Sequence, residues 1–332
     1  MSSRLSRVTV LGGTRFIGRA VVAELLRTGH QVQLVHRGDR GCHLFPEAAH
    51  IHSRRAELAD HARSVRAFKP DVVVDVNGMT ASDVSEAAPV FAGAERFVVI
   101  SSCDVYEAYL GYRTGVHVQD GDVDERSALR TRRRIFTAAV PGRPDYDKLD
   151  VEAAWSDYPA VILRPTAVYG PHDYLRREGF ILDRVLAGRR KIPFGKGDLR
   201  YTRVSSADLA ACVRMAATSD RELRGEVFNV AEATTLSTRA WAETIGDAID
   251  ADIELVPVPD DLLPSDLRLS ASYRQHLTIS ADKARRVLGW SATHVADRIK
   301  ESVQWHAGQP ATRASFADDD TAMREGRRGA RT

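Results

Sequence analysis

The feature that most constrains this chain is the segment 8–30, which reads VTVLGGTRFIGRAVVAELLRTGH. An apolar run enters a glycine-rich turn, and an amphipathic stretch follows and ends at Gly29. Gly12, Gly13 and Gly18 permit a tight turn and close packing of the helix behind it. The N–H groups and the positive dipole end of that helix suit a pyrophosphate. The segment therefore predicts a dinucleotide site at a strand-to-helix turn.

Further apolar runs alternate with amphipathic stretches along the first half of the chain. Residues 8–11, 31–36, 71–76 and 97–101 have the pattern of strands, and a helix is expected at 19–28. Alternating strands and helices favour a parallel sheet with right-handed crossovers. We expect an α/β fold, a Rossmann-type doubly wound parallel sheet with a smaller mixed α/β C-terminal substrate lobe.

The same patterns suggest how the chain is divided. Residues 1–165 are expected to form the NADP(H)-binding domain, with 107–143 as a loop over the site, a helix at 148–155 and a strand at 160–165. Residues 166–308 are expected to form mainly the substrate lobe, interleaved with the first domain. Residues 309–332 are rich in charge, alanine and glycine without apolar periodicity, which is typical of a disordered tail.

Charge and cysteine content exclude several functions. The 332 residues carry 47 basic and 45 acidic side chains, so no overall field attracts nucleic acid or an anionic membrane. No run approaches the roughly 20 apolar residues that span a bilayer. Cys42, Cys103 and Cys212 are few, odd in number and without metal-type spacing, which predicts no metal site and indicates a reducing, cytoplasmic location.

Two basic positions bear on the coenzyme. Arg15 stands at the middle position of the glycine motif, where a glycine is usual, and His36 and Arg37 end the second strand, where NAD-binding proteins often carry an acid. Arginine suits a 2′-phosphate, so NADP(H) is preferred and NAD(H) remains possible. The alternative is that both arginines are solvated surface residues. Residues expected to contact the coenzyme are Gly12, Gly13, Thr14, Arg15, Phe16, Ile17, Gly18, His36, Arg37, Glu57, Leu58, Asn77, Gly78, Ser101, Lys148, Pro165 and Val168.

Six segments together resemble the extended short-chain dehydrogenase/reductases, also called the NAD-dependent epimerase/dehydratase family. They read GGTRFIG, FVVISSCDVYE, YDKLDVE, LRPTAVYGPHD, LRYTRVSSADLA and ISADKARRVLGW, in the family's order and spacing. The likeness covers residues 8–305. It implies a nicotinamide-dependent oxidoreductase or epimerase, and it makes a homodimer possible.

The resemblance also implies a proton-transfer site. Ser102 matches the hydroxyl residue that contacts the substrate oxygen, and Lys148 matches the lysine that binds the nicotinamide ribose and lowers a tyrosine pKa. The family places that tyrosine four residues before the lysine, where this chain has Pro144. Tyr146, two residues before Lys148, would point about 200° away within a regular helix. If Asp145 caps the helix, the phenol could still reach the site.

Three alternatives remain for the acid/base. Tyr146 is displaced but acts; another group such as Asp104, Cys103 or Tyr106 acts instead; or no proton transfer occurs. Family dehydratases carry an Asp-Glu pair after the hydroxyl residue, whereas this chain has Cys103 and Asp104. A single carboxylate is half of that arrangement, so a dehydratase is not favoured.

Substrate contacts rest on the resemblance as well. Ala167 replaces an asparagine that often touches sugar nucleotides, while Arg200 and Arg274 match arginines that bind the diphosphate, and Cys103 is expected near the substrate. We expect an epimerase or reductase acting on a carbinol or ketone of a nucleotide sugar or similar phosphorylated polyol. The alternatives are a reductase of an unphosphorylated secondary metabolite, or a non-catalytic dinucleotide-binding or RNA-associated protein. The RTRRR cluster at 130–134 is expected to be a solvated loop, and nucleic acid is not favoured.

Overall fold

The computed structural model describes residues 6–38, 41, 43–137, 142–268, 274–310 and 315–329. Its centre is a seven-stranded parallel sheet. From one edge to the other the strands are β10 (Val227–Val230), β6 (Ala160–Pro165), β5 (Arg96–Ile100), β4 (Val72–Asp75), β1 (Arg7–Leu11), β2 (Gln31–His36) and β3 (Ala49–His52). The predicted doubly wound α/β fold is confirmed. β10 lies among the residues expected to form mainly the substrate lobe, but it joins the edge of this sheet.

Helices bury both faces of the sheet, which is why its strands are apolar on both sides. One face packs on α1 (Phe16–Arg27) and α7 (Ser206–Thr218), and the other on α3 (Ala81–Ala87) and α5 (Lys148–Trp155). Alternate residues of β5 enter the two cores: Val98 faces the first and Val99 the second. The remaining helix near this face is α2 (Ala62–Ala67).

A separate core lies under the later part of the chain. Two short parallel sheets belong to this part, β7 (Ala167–Tyr169) with β9 (Arg203–Ser205) and β8 (Lys191–Phe194) with β11 (Glu254–Pro257). The helices that pack there include α6 (Gly179–Leu186), α8 (Thr238–Asp247) and α10 (Val295–Ala307), while α9 (Asp282–Leu288) packs back on the main sheet. Among the described residues, no helix is both long and apolar enough to cross a bilayer.

Two predictions about irregular segments are wrong. The loop at 107–143 begins with a helix, α4 (Glu107–Thr114), whose Gly111 packs against Val118. The tail contains α11 (Ala317–Gly329), although 311–314, 330–332 and Cys42 lie outside the described residues. The tail is ordered by long-range ion pairs that local periodicity does not reveal: the buried guanidinium of Arg184 donates two hydrogen bonds to Asp319, each 2.8 Å long.

Candidate active site

The glycine turn has the backbone that a pyrophosphate site requires. Gly12 has φ +92°, and a Cβ on Gly18 would collide with the carbonyl oxygen of Gly12. The helix begins after Arg15 without a side-chain cap and without an acidic residue in its first turn. Its first N–H groups therefore keep their capacity for an anion, and no carboxylate repels one. The residues present fit a dinucleotide diphosphate.

The turn lies at the point where the strand order of the sheet reverses. β1 lies between β2 and β4, so the chain leaves it in both directions, and ligands of such sheets bind outside the carboxyl ends of these strands. Asn77 and Gly78 follow β4 there, and a Cβ on Gly12 would lie 2.9 Å from Cγ of Asn77. Arg55 fixes this edge by donating to Asp75 at 2.6 and 3.0 Å and to Asn77 at 2.7 Å. No pattern in the sequence indicated this role of Arg55.

The end of β2 contributes less charge than its sequence suggests. His36 is buried, and burial followed by the neighbouring His50 and His52 lowers the pKa of His36 to about 4. His36 is therefore neutral at pH 7, and Arg37, which is exposed, carries the positive charge at this edge. Glu57 is exposed in a short 3₁₀ helix, whereas the side chain of Leu58 is wholly buried.

Arg15 has a partner that the sequence did not indicate. Its guanidinium carbon lies 5.3 Å from the ring centre of Tyr174, in the segment after β7, and the ring of Phe16 meets Tyr174 edge-on. Phe16 has φ +33° and is buried, while Thr14 and Ile17 are half-buried and Gly13 packs against Leu34. Tyr174, about 160 residues later in the chain, thus packs against the glycine turn.

The acid/base candidates meet beyond the carboxyl end of β5. The hydroxyl of Tyr146 donates to Oδ2 of Asp104 at 2.5 Å, in a buried environment. Tyr146 lies before α5, because the residue that caps the helix is Asp147 and not Asp145; Asp147 accepts a hydrogen bond from the backbone N–H of Leu149. The 200° rotation expected within a helix therefore does not apply. The structure brings Tyr146 to the carboxylate of Asp104.

Arg130 holds this corner together. It donates two hydrogen bonds to Asp147, at 2.7 and 3.0 Å, and its Nε donates to the backbone oxygen of Asp104 at 2.8 Å. Arg130 is 2% exposed, so the prediction of a solvated loop is wrong for this residue of the cluster. A capping aspartate before the helix was readable from the sequence. Its pairing with an arginine 17 residues earlier was not.

Burial sets the electrostatics of the corner. Burial raises the pKa of Asp104, and the Tyr146 hydrogen bond and Arg130 offset this only in part. The second oxygen of Asp104, Oδ1, has no hydrogen-bond partner among the described residues, which adds to the cost of its charged form. Burial, followed by the charge of Asp104, raises the pKa of Tyr146 far above its usual range. The phenol therefore stays protonated, and the Asp104 carboxyl, whose pKa is raised from its ordinary value, is the more acidic group of the two.

Lys148 contacts backbone carbonyl groups at two strand ends, rather than the phenol of Tyr146. Its buried Nζ donates to the carbonyl oxygens of Gly78 at 2.7 Å and Ile100 at 3.0 Å, and burial lowers its pKa. Lys148 thus joins the carboxyl ends of β4 and β5. Through Gly78, which follows β4, the lysine stabilises the backbone beneath the predicted coenzyme site.

The two adjacent serines have different surroundings. Ser101 is buried and donates to Glu152 at 2.5 Å, and Glu152 is paired with Arg164. Ser102 is half-buried, and its Oγ accepts from the backbone N–H of Asp104 at 3.1 Å, which leaves the hydroxyl proton for another acceptor. The Cys103 thiol is buried, and burial raises its pKa above the usual range, so it is not a nucleophile.

The remaining predicted residues fall in two places. Pro165 and Val168, on the strands after α5, are buried. Arg200 and Arg274 line one cavity of about 530 Å³ although 74 residues separate them. Arg200 is held there by hydrogen bonds to Thr235 and His276. The structure thus brings together the two arginines that the resemblance assigned to one anionic group.

A glycine-rich turn at the reversal point of a doubly wound parallel sheet defines a Rossmann-type dinucleotide-binding fold, and the buried pair of Tyr146 and Asp104 lies beyond another strand end of the same sheet. The model of the NAD dependent epimerase/dehydratase family matches residues 8–127 and 147–231, more than half of the chain. The chain belongs to this family, as an NAD-dependent oxidoreductase or epimerase. The unmatched interval 128–146 contains both Arg130 and Tyr146, so the departure from the family lies in the corner described above.

The chain is similar to known proteins of more than one kind. The chain is 24% identical to the chloroplast stem-loop binding protein of 41 kDa b of Arabidopsis thaliana, over 97% of this chain and 85% of that protein. It is 29% identical to 2'-dehydrokanamycin reductase of Streptomyces kanamyceticus, over 76% and 69%. A UDP-glucose-4-epimerase from Stenotrophomonas maltophila, solved with NAD and formylated UDP-arabinopyranose, has the same fold, with a TM-score of 0.69 and 17% identity over 90% of this chain and 97% of that one.

Proposed function

We propose that the chain is an NADP(H)-linked reductase or epimerase that acts on a carbinol or ketone of a nucleotide sugar or similar phosphorylated polyol. The supporting observation is the 2.5 Å contact between Tyr146 and Asp104, beyond the strand end that carries Ser102. It supplies a proton-transferring pair where the family's usual tyrosine position is Pro144. Family membership and the solved neighbours that hold NAD support the coenzyme class.

The residues of the turn hold the coenzyme by its diphosphate. The backbone from Gly12 to Gly18 offers N–H groups at the start of α1, and Arg15 adds a charge beside them. Arg37 is suited to a 2′-phosphate at the end of β2. The nicotinamide ring, when bound, supplies or accepts a hydride. The chain's own residues orient the substrate oxygen and manage its proton.

The proton path follows from the pKa directions. In reduction, Tyr146 gives its hydroxyl proton to the substrate oxygen while protonated Asp104 returns a proton to the phenol oxygen. In oxidation, the phenol accepts the substrate proton and passes its own to the Asp104 carboxylate. Ser102 donates to the same substrate oxygen. The phenol relays the proton and the carboxyl stores it, because a phenolate beside Asp104 would be strongly destabilised.

Substitution of the pair tests this proposal. We expect Asp104→Asn and Tyr146→Phe each to lower kcat by roughly 10² to 10⁴, the usual value of a positioned acid or base. The double variant should lose little more, because the two groups act as one unit. Coenzyme affinity, measured by NADPH fluorescence, is the control and should be retained. Full turnover by both variants would refute the relay.

The pH dependence has a defined sign. Burial raises the Asp104 pKa above the value of an ordinary aspartate, and reduction consumes the protonated carboxyl. The kcat of reduction should therefore fall as pH rises through that pKa, and the kcat of oxidation should rise over the same interval. Asp104→Asn should abolish this limb of both profiles. A limb that survives in Asp104→Asn would assign the titration to another group.

The substrate class is tested at the cavity. We expect Arg200→Ala to raise the KM for a UDP-sugar at least tenfold with a smaller change in kcat, because the guanidinium contributes uniform binding. Lys191→Ala, at an exposed cation paired with Glu254 outside the cavity lining, is the control. Coenzyme binding without turnover of any sugar nucleotide or ketone tried would favour the non-catalytic alternative.

A second candidate is a reductase of an unphosphorylated, cationic secondary metabolite. Asp120 and Asp122 line the same cavity as Arg200 and Arg274, and carboxylates there oppose a diphosphate but attract an amine. The relative named 2'-dehydrokanamycin reductase supports this candidate. Under it, Arg200→Ala leaves KM nearly unchanged, and Asp122→Asn raises the KM for an amino sugar.

A further inference from the structure

Three histidines form a cluster at the edge of the main sheet that the proposed reaction does not use as a unit. His36 ends β2, and His50 and His52 lie on β3, where the parallel register pairs His36 with His52 and Leu34 with His50. Residues two apart on a strand share a face. All three imidazoles therefore project from one face of two adjacent strands, and one ring nitrogen of each lies within 4.8 Å of the others.

The hydrogen bonds around the cluster define the ring protonation states. The N–H of Gly38 donates to Nδ1 of His36, so the His36 proton is on Nε2. Nε2 of His36 lies 2.8 Å from Nδ1 of His50 and donates to it, and Nε2 of His50 then donates to the carbonyl oxygen of Phe45 at 3.1 Å. His36 is buried, His50 half-buried and His52 exposed. One shared proton therefore lies between His36 and His50.

We propose that His36, His50 and His52 form a binding site for a divalent transition-metal ion of the Zn²⁺ or Co²⁺ type. A tetrahedral ion with nitrogen ligands at 2.0–2.1 Å separates those nitrogens by about 3.3 Å. The His36 to His50 separation of 2.8 Å needs to open slightly, and the exposed His52 ring needs to turn inward. The ion replaces the shared proton, and the fourth position remains open to solvent.

The surroundings of the cluster supply most of what such a site requires. Metal-bound histidines usually donate their second N–H to an acceptor, and His50 already does so at Phe45. His36 would carry its proton on Nδ1, facing Gly38, whose N–H must then turn away. Gly38 has φ +82° and no side chain, so rotation of the preceding peptide can present the carbonyl of Arg37 instead. The ion would lie at the end of β2, next to the predicted ribose position.

Direct metal binding tests the proposal without any measurement of turnover. Untagged, metal-free protein is titrated with Co²⁺, and visible absorption reports tetrahedral coordination. We expect one Co²⁺ per chain, displaced by Zn²⁺, and an affinity at least tenfold lower in His52→Ala, whose exposed side chain makes a folding defect improbable. His36→Asn should abolish the absorption, and His294→Ala, at an exposed histidine elsewhere, should retain it.

The outcomes separate this site from the proposed function. Absence of the Co²⁺ spectrum in the wild type, or a spectrum unchanged in His52→Ala, overturns the metal site. NADPH affinity of the metal-free protein is measured in parallel and depends on the glycine turn and Arg37. Loss of metal binding with normal NADPH affinity would therefore leave the proposed function standing.

Discussion

The proposed coenzyme turn and the proposed proton-transfer corner lie at the carboxyl ends of β1 and β5, with β4 between them, and are constructed differently. The turn is one continuous stretch, from Gly12 to Gly18, and its chemistry comes from backbone N–H groups. The corner is assembled from side chains of separate segments, with Asp104, Arg130 and Tyr146 buried against one another. Backbone chemistry thus depends on which conformations the glycines allow. Side-chain chemistry depends on buried charges remaining paired.

This difference predicts where each region fails. A buried ion pair costs little while it is complete, but removal of one member leaves an uncompensated charge in a medium that solvates it poorly. A glycine turn instead fails by steric overlap, which disturbs local shape more than overall stability. Stability measurements should therefore respond most to the corner, and coenzyme affinity most to the turn.

Arg130→Met should give the largest loss of stability. It leaves Asp147 buried without its partner, and we expect the free energy of unfolding to fall by about 3–5 kcal/mol. Denaturant unfolding followed by circular dichroism measures this change. Arg126→Met is the matched control, because Arg126 is an exposed arginine that pairs with Asp124, and it should have little effect. Equal losses in the two variants would contradict the distinction between the regions.

Gly18→Ala should act mainly on the coenzyme. The added methyl group meets the carbonyl oxygen of Gly12, and relief of that overlap moves the helix start away from the turn. We expect about 1–3 kcal/mol of destabilisation and at least a tenfold weaker NADPH affinity. Gly93→Ala is the control, because a methyl group there has no atom within 4 Å. Normal NADPH binding by Gly18→Ala would mean that the coenzyme does not depend on the turn.

The same contrast explains what could be predicted from the sequence. The turn, the sheet and its apolar strands follow from local patterns, so α5 and β6 occur at the predicted residues. The Asp104 to Tyr146 contact spans 42 residues, and no periodicity encodes it. The tail was wrongly taken as disordered for the same reason: the acidic first turn of α11 pairs with Arg184 and Arg189, whose positions depend on the whole fold.

The resemblance to the family identified Lys148, but it could not identify the tyrosine, because Pro144 occupies the family's tyrosine position. The helix begins at Lys148 with Asp147 as its cap, so Tyr146 lies outside the helix and does not follow its geometry. The path is fixed by Arg130, which binds the capping Asp147. The role of a residue can be inferred from a family motif only where the backbone between the motif positions has the same regular geometry.

Arg37→Ala should have the smallest effect on stability, because Arg37 is exposed, and it tests whether a side chain in the coenzyme half is as predictable as the backbone. A hydrogen bond to a charged group is worth about 1.5–3 kcal/mol, so the Kd for NADPH should rise roughly 10- to 100-fold. The Kd for NADH, which lacks the 2′-phosphate, should not change. Both constants follow from fluorescence titration of the wild type and the variant. Because His36 is neutral at pH 7, Arg37 is the side chain at this strand end that can discriminate between them. Equal wild-type affinities for the two coenzymes would remove the basis for assigning NADP(H).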